Sequence, residues 1–157
     1  MRSIGVISDT HGLLRPEAID ALAGSDLILH AGDVGGPEIL QRLADIAPVH
    51  AVRGNTDRGP WAEALPLTAV VELGGEGGPP LAYLLHDIED LDIDPAAAGM
   101  AVVVYGHSHK PRVESRGGVT LLNPGAAGHR RFTLPVTVAR IHVGADGRLE
   151  PEIVTLL

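Results

Sequence analysis

An α/β fold in a single domain spanning residues 1–157 is predicted by three features of the sequence. In the first third, short runs rich in β-branched and aliphatic residues alternate with helix-like segments, which implies parallel strand pairing. Further along, helical periodicity fades and the chain runs through closely spaced strands that read as a meander. With one Trp, two Tyr and one Phe, the core must be built from Val, Leu, Ile and Ala, and the chain is long enough to bury one without staples.

Strands are expected at Ile4–Ser8, Leu27–Ala31, Val49–Arg53, Ala69–Leu73, Leu81–His86, Ala101–Tyr105, Val119–Asn123, Val136–Val143 and Glu152–Leu156, all short and rich in β-formers. Helices are expected at Pro16–Ala23 and Pro37–Ala47, where an early proline precedes apolar residues at three- to four-residue spacing. A further short helix is predicted over Asp94–Gly99, with Asp94 as N-cap, Pro95 at the first position and Gly99 as the stop. Asp146-Gly147 suits a hairpin turn between Val143 and Leu149, and the glycine-rich Gly74–Pro80 suits a flexible strand connection.

The bulk chemistry narrows the function. Without cysteine there can be no thiolate metal site, thiol catalysis or disulfide, which leaves oxygen and imidazole as metal ligands. A formal charge of −8 argues against general binding to nucleic-acid backbones, because counterion release needs clustered Lys and Arg. No apolar run approaches the roughly 20 residues of a membrane span, and the N-terminus leads straight into a strand-like segment. The expectation is therefore a cytoplasmic protein with no membrane association.

Five fragments carry the chemistry: Asp9-Thr-His11, Gly32-Asp33, Gly54-Asn55, Leu85-His86 and Gly106-His107-Ser-His109. Each sits where an aliphatic run ends, so each offers its polar side chain from a strand tip or the loop after it, and separate tips can converge on one point. Taken singly, Asp9-x-His11 fits a helix cap, Asn55 a turn and His86 a structural imidazole. Asp33 at a buried strand tip needs a metal, an arginine or a helix N-terminus to satisfy it. Two imidazoles two residues apart at His107 and His109, just after an aliphatic strand, favour metal ligation even alone. Together the fragments supply seven oxygen and nitrogen ligands, of the kind that hold two ions.

In order and content this set resembles the calcineurin-like metallophosphoesterases, whose pattern D-x-H, G-D, G-N, H and G-H-x-H is matched along the whole chain. The short length, Asn55-Thr56-Asp57 and the Asn123-Pro-Gly125 turn are most similar to the small bacterial and archaeal phosphodiesterase branch. The resemblance implies a four-layer α/β/β/α sandwich of two mixed sheets flanked by helices. It implies two divalent ions per chain, one held by Asp9, His11 and His109, the other by Asn55, His86 and His107, with Asp33 bridging. Mn²⁺ is the expected ion, and Fe, Zn²⁺ or Ni²⁺ also suit these ligands. The implied reaction is hydrolysis of a small phosphate ester, a diester first, by hydroxide shared between the ions. Asn55 and His107 are then catalytic residues, Asn55 also contacts substrate, and a homodimer is expected.

Two positions depart from the family pattern. Thr56 stands where many members carry a histidine taken to assist the leaving group, which points to substrates with good leaving groups, or to a proton from Asp57 or from water at the centre. Asp87 stands where a glycine is usual and adds a carboxylate near the site. Arg130 and Arg131, after the Asn123-Pro-Gly125 turn, are candidate substrate contacts. His30 fits either a partner supporting the site or a buried structural residue, and His50 and His142 read as structural or exposed. The rival functions are a metal-binding scaffold for protein interaction on the same fold, and a nucleotide pyrophosphatase or phosphomonoesterase.

Overall fold

The computed structural model describes residues 1–157. In chain order it contains β1 (Arg2–Ile7), α1 (Pro16–Leu22), β2 (Leu27–His30), α2 (Pro37–Ala44), β3 (Val49–Ala51), α3 (Pro60–Glu63), β4 (Thr68–Glu72) and β5 (Leu81–Leu85). A 3₁₀ turn at Ile88–Asp90 follows, then β6 (Met100–Val104), β7 (Arg112–Arg116), β8 (Val119–Asn123), β9 (Thr137–Val143) and β10 (Leu149–Thr155).

These strands form two five-stranded mixed sheets, ordered β10-β9-β1-β2-β3 and β4-β5-β6-β8-β7. The alternation in the first third gives the expected parallel pairs, β1 with β2 and β2 with β3. The meander expected for the later strands does not form. Within the second sheet β5 pairs with β6 and β6 with β8 in parallel, and only β4 on β5 and β7 on β8 are antiparallel there. Parallel pairing needs a crossover; here the segment between β5 and β6 makes it with a 3₁₀ turn and irregular chain in place of a helix. Asp94–Gly99 accordingly closes only one turn, in which Asp94 Oδ1 accepts from the Ala97 N–H and Met100 N–H reaches the Pro95 carbonyl, and no helix propagates.

The strand alternation sorts side chains into layers. Ile4 and Val6 of β1 and Leu27 and Leu29 of β2 meet Leu84, Val102, Val104 and Leu122 in a buried core between the sheets. On the outer face of the first sheet, Ile7, Ile28 and Val138 pack under Ala18 and Leu22 of α1 and Ile39 and Leu43 of α2. The outer face of the second sheet, with Tyr83, Val103 and Leu121, is covered by Ile88, Leu91 and Ile93. Four layers result, the fourth thinned to the 3₁₀ turn and its neighbouring chain.

β9 and β10 form a hairpin in which Val143 pairs with Leu149 around Asp146-Gly147, as the turn signal predicts. Gly74–Pro80 joins β4 to β5, with Glu72 opposite Leu81. β7, unexpected from sequence, is an exposed edge strand whose Arg112 and Arg116 pair with Glu114. The fold delivers the C-terminal ends of β1, β2, β3, β5 and β6 to one edge of the sandwich, where the polar fragments lie.

Candidate metal centre

At that edge Asp9 is the hub. Its Oδ1 lies 3.7 Å from His11 Nε2, 4.0 Å from His86 Nε2 and 3.3 Å from His109 Nε2. Its Oδ2 accepts from the Ser8 hydroxyl at 2.7 Å and the His107 N–H at 3.1 Å. Asp33 Oδ2 lies 3.6 Å from His11 Nε2 and 3.2 Å from His86 Nε2, while its Oδ1 accepts the Thr56 N–H at 2.9 Å. The ligand atoms of Asp9, His11 and His109 fall within 4.8 Å of one another, as do those of Asp9, Asp33 and His86.

Asn55 and His107 stand outside these two groups, on the solvent side. His107 Nδ1 is 3.2 Å from Asn55 Oδ1, its ring centroid is 5.2 Å from that of His86, and its Nε2 is 3.7 Å from Asp87 Oδ2. All seven predicted ligands thus reach one edge, five inside and two at the mouth.

The local backbone is shaped for this convergence. Asp9, His11, Asp33, His107 and His109 have φ of 53°, 46°, 54°, 73° and 64°, the left-handed region that costs a side chain about 1 kcal/mol or more. Such outliers persist only when the surroundings enforce them. Here the Asp9 N–H is held by the Gly32 carbonyl and the His11 N–H by the Asp33 carbonyl, so the first two ligand loops are laced together. Gly54 and Gly106 permit close approaches between ligand loops: a Cβ on Gly54 would collide with the Asp33 backbone and Oδ1, and one on Gly106 with Ser8 and the Asp9 carboxylate.

Electrostatically the centre is a set of buried acids facing imidazoles. Burial pushes the Asp9 carboxyl up, but His109, His11 and the Ser8 hydroxyl outweigh it and hold it well below the usual carboxylate range. Asp33 is likewise lowered, because His86 and the Thr56 N–H overcome its burial. Asp9 raises the His11 imidazole. Burial pulls His86 down, yet Asp33 and Asp9 leave it raised overall.

The fit to a metal follows from what these contacts leave undone. Asp9 Oδ1, His11 Nε2, His86 Nε2 and His109 Nδ1 are buried atoms without a hydrogen-bond partner, an arrangement that costs free energy in a protein unless a further ligand satisfies it. His86 is oriented by the Ala31 carbonyl 2.8 Å from Nδ1, the accessory contact typical of metal-binding histidines. Carboxylate and imidazole without thiolate suit a hard or borderline divalent ion.

Several predicted residues have other surroundings than expected. Asp57 is 7% exposed, and both its oxygens are taken by backbone N–H groups: Gly35 donates to Oδ1, and Gly54 and Val34 to Oδ2. It is turned away from the mouth, where a proton donor would have to stand. Asp87 caps the 3₁₀ turn by accepting the Glu89 N–H, so the departure from glycine builds a turn here. Arg130 and Arg131 are exposed; Arg130 Nε donates to the Leu134 carbonyl, and the Arg131 charge acts on His11. His30 is fully buried, and its Nδ1 accepts the Gly32 N–H. Because the Thr10 hydroxyl donates to the Val34 carbonyl, His30 Nε2 must carry the hydrogen shared with Thr10 Oγ1. His50 is exposed and His142 lies 3.3 Å from Glu152, both outside the site.

Asn123 was missed as a supporting residue. Fully buried, it donates to the Gly106 carbonyl and Ser108 Oγ and accepts the Gly125 N–H, which pins the loop carrying His107 and His109. Its place before Pro-Gly was visible, but nothing local reveals a partner so distant in the chain.

The calcineurin-like phosphoesterase superfamily domain matches residues 1–146. The chain belongs to this superfamily. A probable metallophosphoesterase of Methanothermobacter thermautotrophicus is 39% identical, over 96% of this chain and 91% of its own length. Among solved structures, a novel archaeal phosphodiesterase superposes with a TM-score of 0.76 at 21% identity, covering 97% of this chain and 99% of that one. Vacuolar Protein Sorting 29 from Cryptosporidium parvum superposes with a TM-score of 0.75 at 21% identity, covering 98% and 97%. Superfamily membership and the unsatisfied ligand atoms agree on a metal-dependent phosphoesterase.

Proposed function

We propose that the chain is a phosphodiesterase in which Asp9, His11 and His109 hold one divalent ion, Asn55, His86 and His107 hold a second, and Asp33 lies between them. The observation that carries this reading is the convergence of three buried atoms without a hydrogen-bond partner, Asp9 Oδ1, His11 Nε2 and His86 Nε2, with His109 Nε2 3.3 Å from the same Asp9 oxygen. Mn²⁺ is the ion of choice for the test, with Fe, Zn²⁺ and Ni²⁺ as alternatives for the same ligands. When bound, two such ions supply Lewis acidity toward a phosphoryl oxygen and an activated water.

The protein's own part is positioning. Asp33 is fixed by the Thr56 N–H, His86 by the Ala31 carbonyl, and the loop of His107 and His109 by Asn123. Asn55 and His107, at the exposed mouth, are the groups that face an ester oxygen, and Arg131 adds positive charge beside His11. With Thr56 at the position after Asn55 and Asp57 held by backbone, no side-chain acid stands ready for the leaving group. Esters of acidic alcohols are therefore the preferred substrates.

The test is hydrolysis of bis(p-nitrophenyl) phosphate by chelator-stripped protein reloaded with Mn²⁺, beside Asp33→Ala and His107→Ala variants. Metal-dependent turnover lost in both variants is the expected result. Tight metal uptake without turnover of diesters, monoesters or dinucleotides, whichever ion is supplied, would overturn it in favour of a scaffold.

A further inference from the structure

Asp87 follows His86 at the end of β5, in extended backbone with φ −115° and ψ 121°, a conformation open to every residue type. Its two carboxylate oxygens have different surroundings. Oδ1 accepts the Glu89 N–H at 3.0 Å and so caps the 3₁₀ turn, a task that serine or asparagine performs as well. Oδ2 is not needed for the cap, and it faces His107 Nε2 at 3.7 Å. No other carboxylate lies within 4.0 Å of the His107 ring nitrogens, and no protein group hydrogen-bonds Nε2.

His107 approaches from the loop after β6, with left-handed backbone at φ 73° and its N–H on Asp9 Oδ2. The ring stands edge-on to His86, with 82° between the planes, and its Nδ1 lies 3.2 Å from Asn55 Oδ1. An acceptor oxygen therefore stands at each ring nitrogen, Asn55 at Nδ1 and Asp87 at Nε2. A neutral imidazole has one N–H and can serve only one of them. A ligating nitrogen, in turn, must be free of its proton. With Asn55 and His107 as ligands of one ion, Nδ1 is the nitrogen on the side of that ion, and the hydrogen belongs on Nε2, where Asp87 accepts it.

His86 has the corresponding support in the Ala31 carbonyl, 2.8 Å from its Nδ1. For His107 the support comes from Asp87 or from nothing, because Asn123 holds its loop through the Gly106 carbonyl and Ser108 Oγ and not through the ring nitrogens. Glycine, the usual residue at position 87, supplies no such oxygen.

We infer that Asp87 is a positioning residue for His107, its Oδ2 holding the ring in the Nε2–H tautomer with Nδ1 turned toward Asn55. This rests on the two-ion reading above. At 3.7 Å, with the His107 and Asp87 side chains 47% and 27% exposed, the contact is longer than a hydrogen bond and its bare attraction is weak. What it decides is which nitrogen carries the hydrogen and which edge of the ring meets the ion.

The experiment reads metal uptake and tautomer together. Calorimetric titration of chelator-stripped protein with Mn²⁺ should show two binding events in the parent protein, one of them strongly weakened in His107→Ala. Asp87→Ser keeps a cap for the Glu89 N–H and removes Oδ2, and it should weaken that same event about tenfold, the scale of an accessory partner to a metal-binding histidine. Asp87→Asn keeps the cap and turns an amide donor toward Nε2, so it should weaken the event further. Glu89→Gln removes a neighbouring exposed charge without touching His107 and should leave both events unchanged, which separates positioning from general attraction of a cation.

Long-range ¹H–¹⁵N spectra of the histidine rings, recorded on chelator-stripped protein in alkaline buffer, give the tautomer directly. The Nε2–H share of His107 should be highest in the parent protein, lower in Asp87→Ser and lowest in Asp87→Asn. Affinity and tautomer shares in Asp87→Ser equal to those of the parent, with losses confined to Asp87→Gly, would reduce Asp87 to a turn cap and overturn the inference while the two-ion reading stands. A single binding event, or uptake untouched by His107→Ala, would instead overturn the two-ion reading, and the tautomer shares would still decide whether Asp87 orients the ring.

Discussion

Asp57 Oδ2 accepts the Gly54 N–H at 2.9 Å, so the residue after Thr56 closes the ligand loop around Asn55. The same carboxylate takes the Val34 and Gly35 N–H groups that follow Asp33. One buried side chain therefore holds two ligand loops, from the ends of β2 and β3, in register. Asp57→Ala leaves three backbone donors unpaired and should destabilise the protein by roughly 2–4 kcal/mol. Denaturant unfolding measures this. Asp57→Asn, which keeps one acceptor, should recover part of the loss and slow turnover without reshaping the pH–rate profile. Selective loss of the alkaline limb would instead assign proton donation to Asp57.

Gly54 also makes room for Asp33, and adding one methyl there tests how tightly the bridge is packed. Gly54→Ala should cost about 1–3 kcal/mol in stability by overpacking and weaken metal uptake, because the intruding Cβ strikes Asp33 Oδ1. Calorimetric titration with Mn²⁺ reads the affinity. An unchanged value would show that the loop yields without moving the ligand.

Metal uptake should release protons, and the sign follows from His11 and His86. Both imidazoles are raised above their ordinary value by the neighbouring carboxylates, so they keep their protons to higher pH than a free imidazole, and an incoming ion must displace them. Affinity for Mn²⁺ is expected to weaken as pH falls, with the steepest change above the ordinary imidazole pKa of 6.5. Titrations in two buffers of different ionisation enthalpy count the protons released. In chelator-treated protein these same pairs contribute stability that is full below 6.5 and is lost as pH rises through the raised folded values.

His30 works in the opposite sense. Burial pulls its imidazole down to about 4 against 6.5 for the free group, and its neutral tautomer, protonated on Nε2, serves Thr10 and Gly32. The unfolded chain therefore takes up a proton first. The contribution of His30 is present above pH 6.5 and declines as pH falls toward 4. Stability measured across that range should fall less steeply in His30→Gln, and the His30 ring resonances of the native protein should remain those of a neutral imidazole at pH 5.

The left-handed backbone at His11, φ 46°, predicts an inverted order of substitutions. Both His11→Ala and His11→Gly remove the ligand. Glycine alone accepts this φ without strain, so in chelator-treated protein the Gly variant should be the more stable by about 1 kcal/mol. Thermal unfolding of the pair reads the difference, which should be absent or reversed at an exposed helical position such as Asp20.

The parts of the fold that were legible in sequence are those where burial writes a local pattern. β1, β2, β5, β6 and β8 are aliphatic because both faces of their sheets are covered, and α1 and α2 announce themselves by proline at the start and an apolar face. β7 was silent because Arg112–Arg116 packs nothing: it exists through pairing with β8 alone. The parallel order of the second sheet was equally hidden, since its crossover lacks the helix that normally signals one. In the site, the types and spacing of the seven candidate ligands, which the fold brings to one edge, were readable, whereas the roles of Asp57 and Asn123 lie in contacts to distant backbone that no local pattern encodes.

Asp9 and His107 are 98 positions apart in the chain, and β9, the antiparallel neighbour of β1, arrives only at Thr137–Val143. A chain emerging from the ribosome therefore has all seven candidate ligand side chains well before it has the strand that completes the sheet beneath Asp9. Until that strand docks, β1 has only β2 as a neighbour, so the frame beneath Asp9 is completed after the residues it positions have all been made.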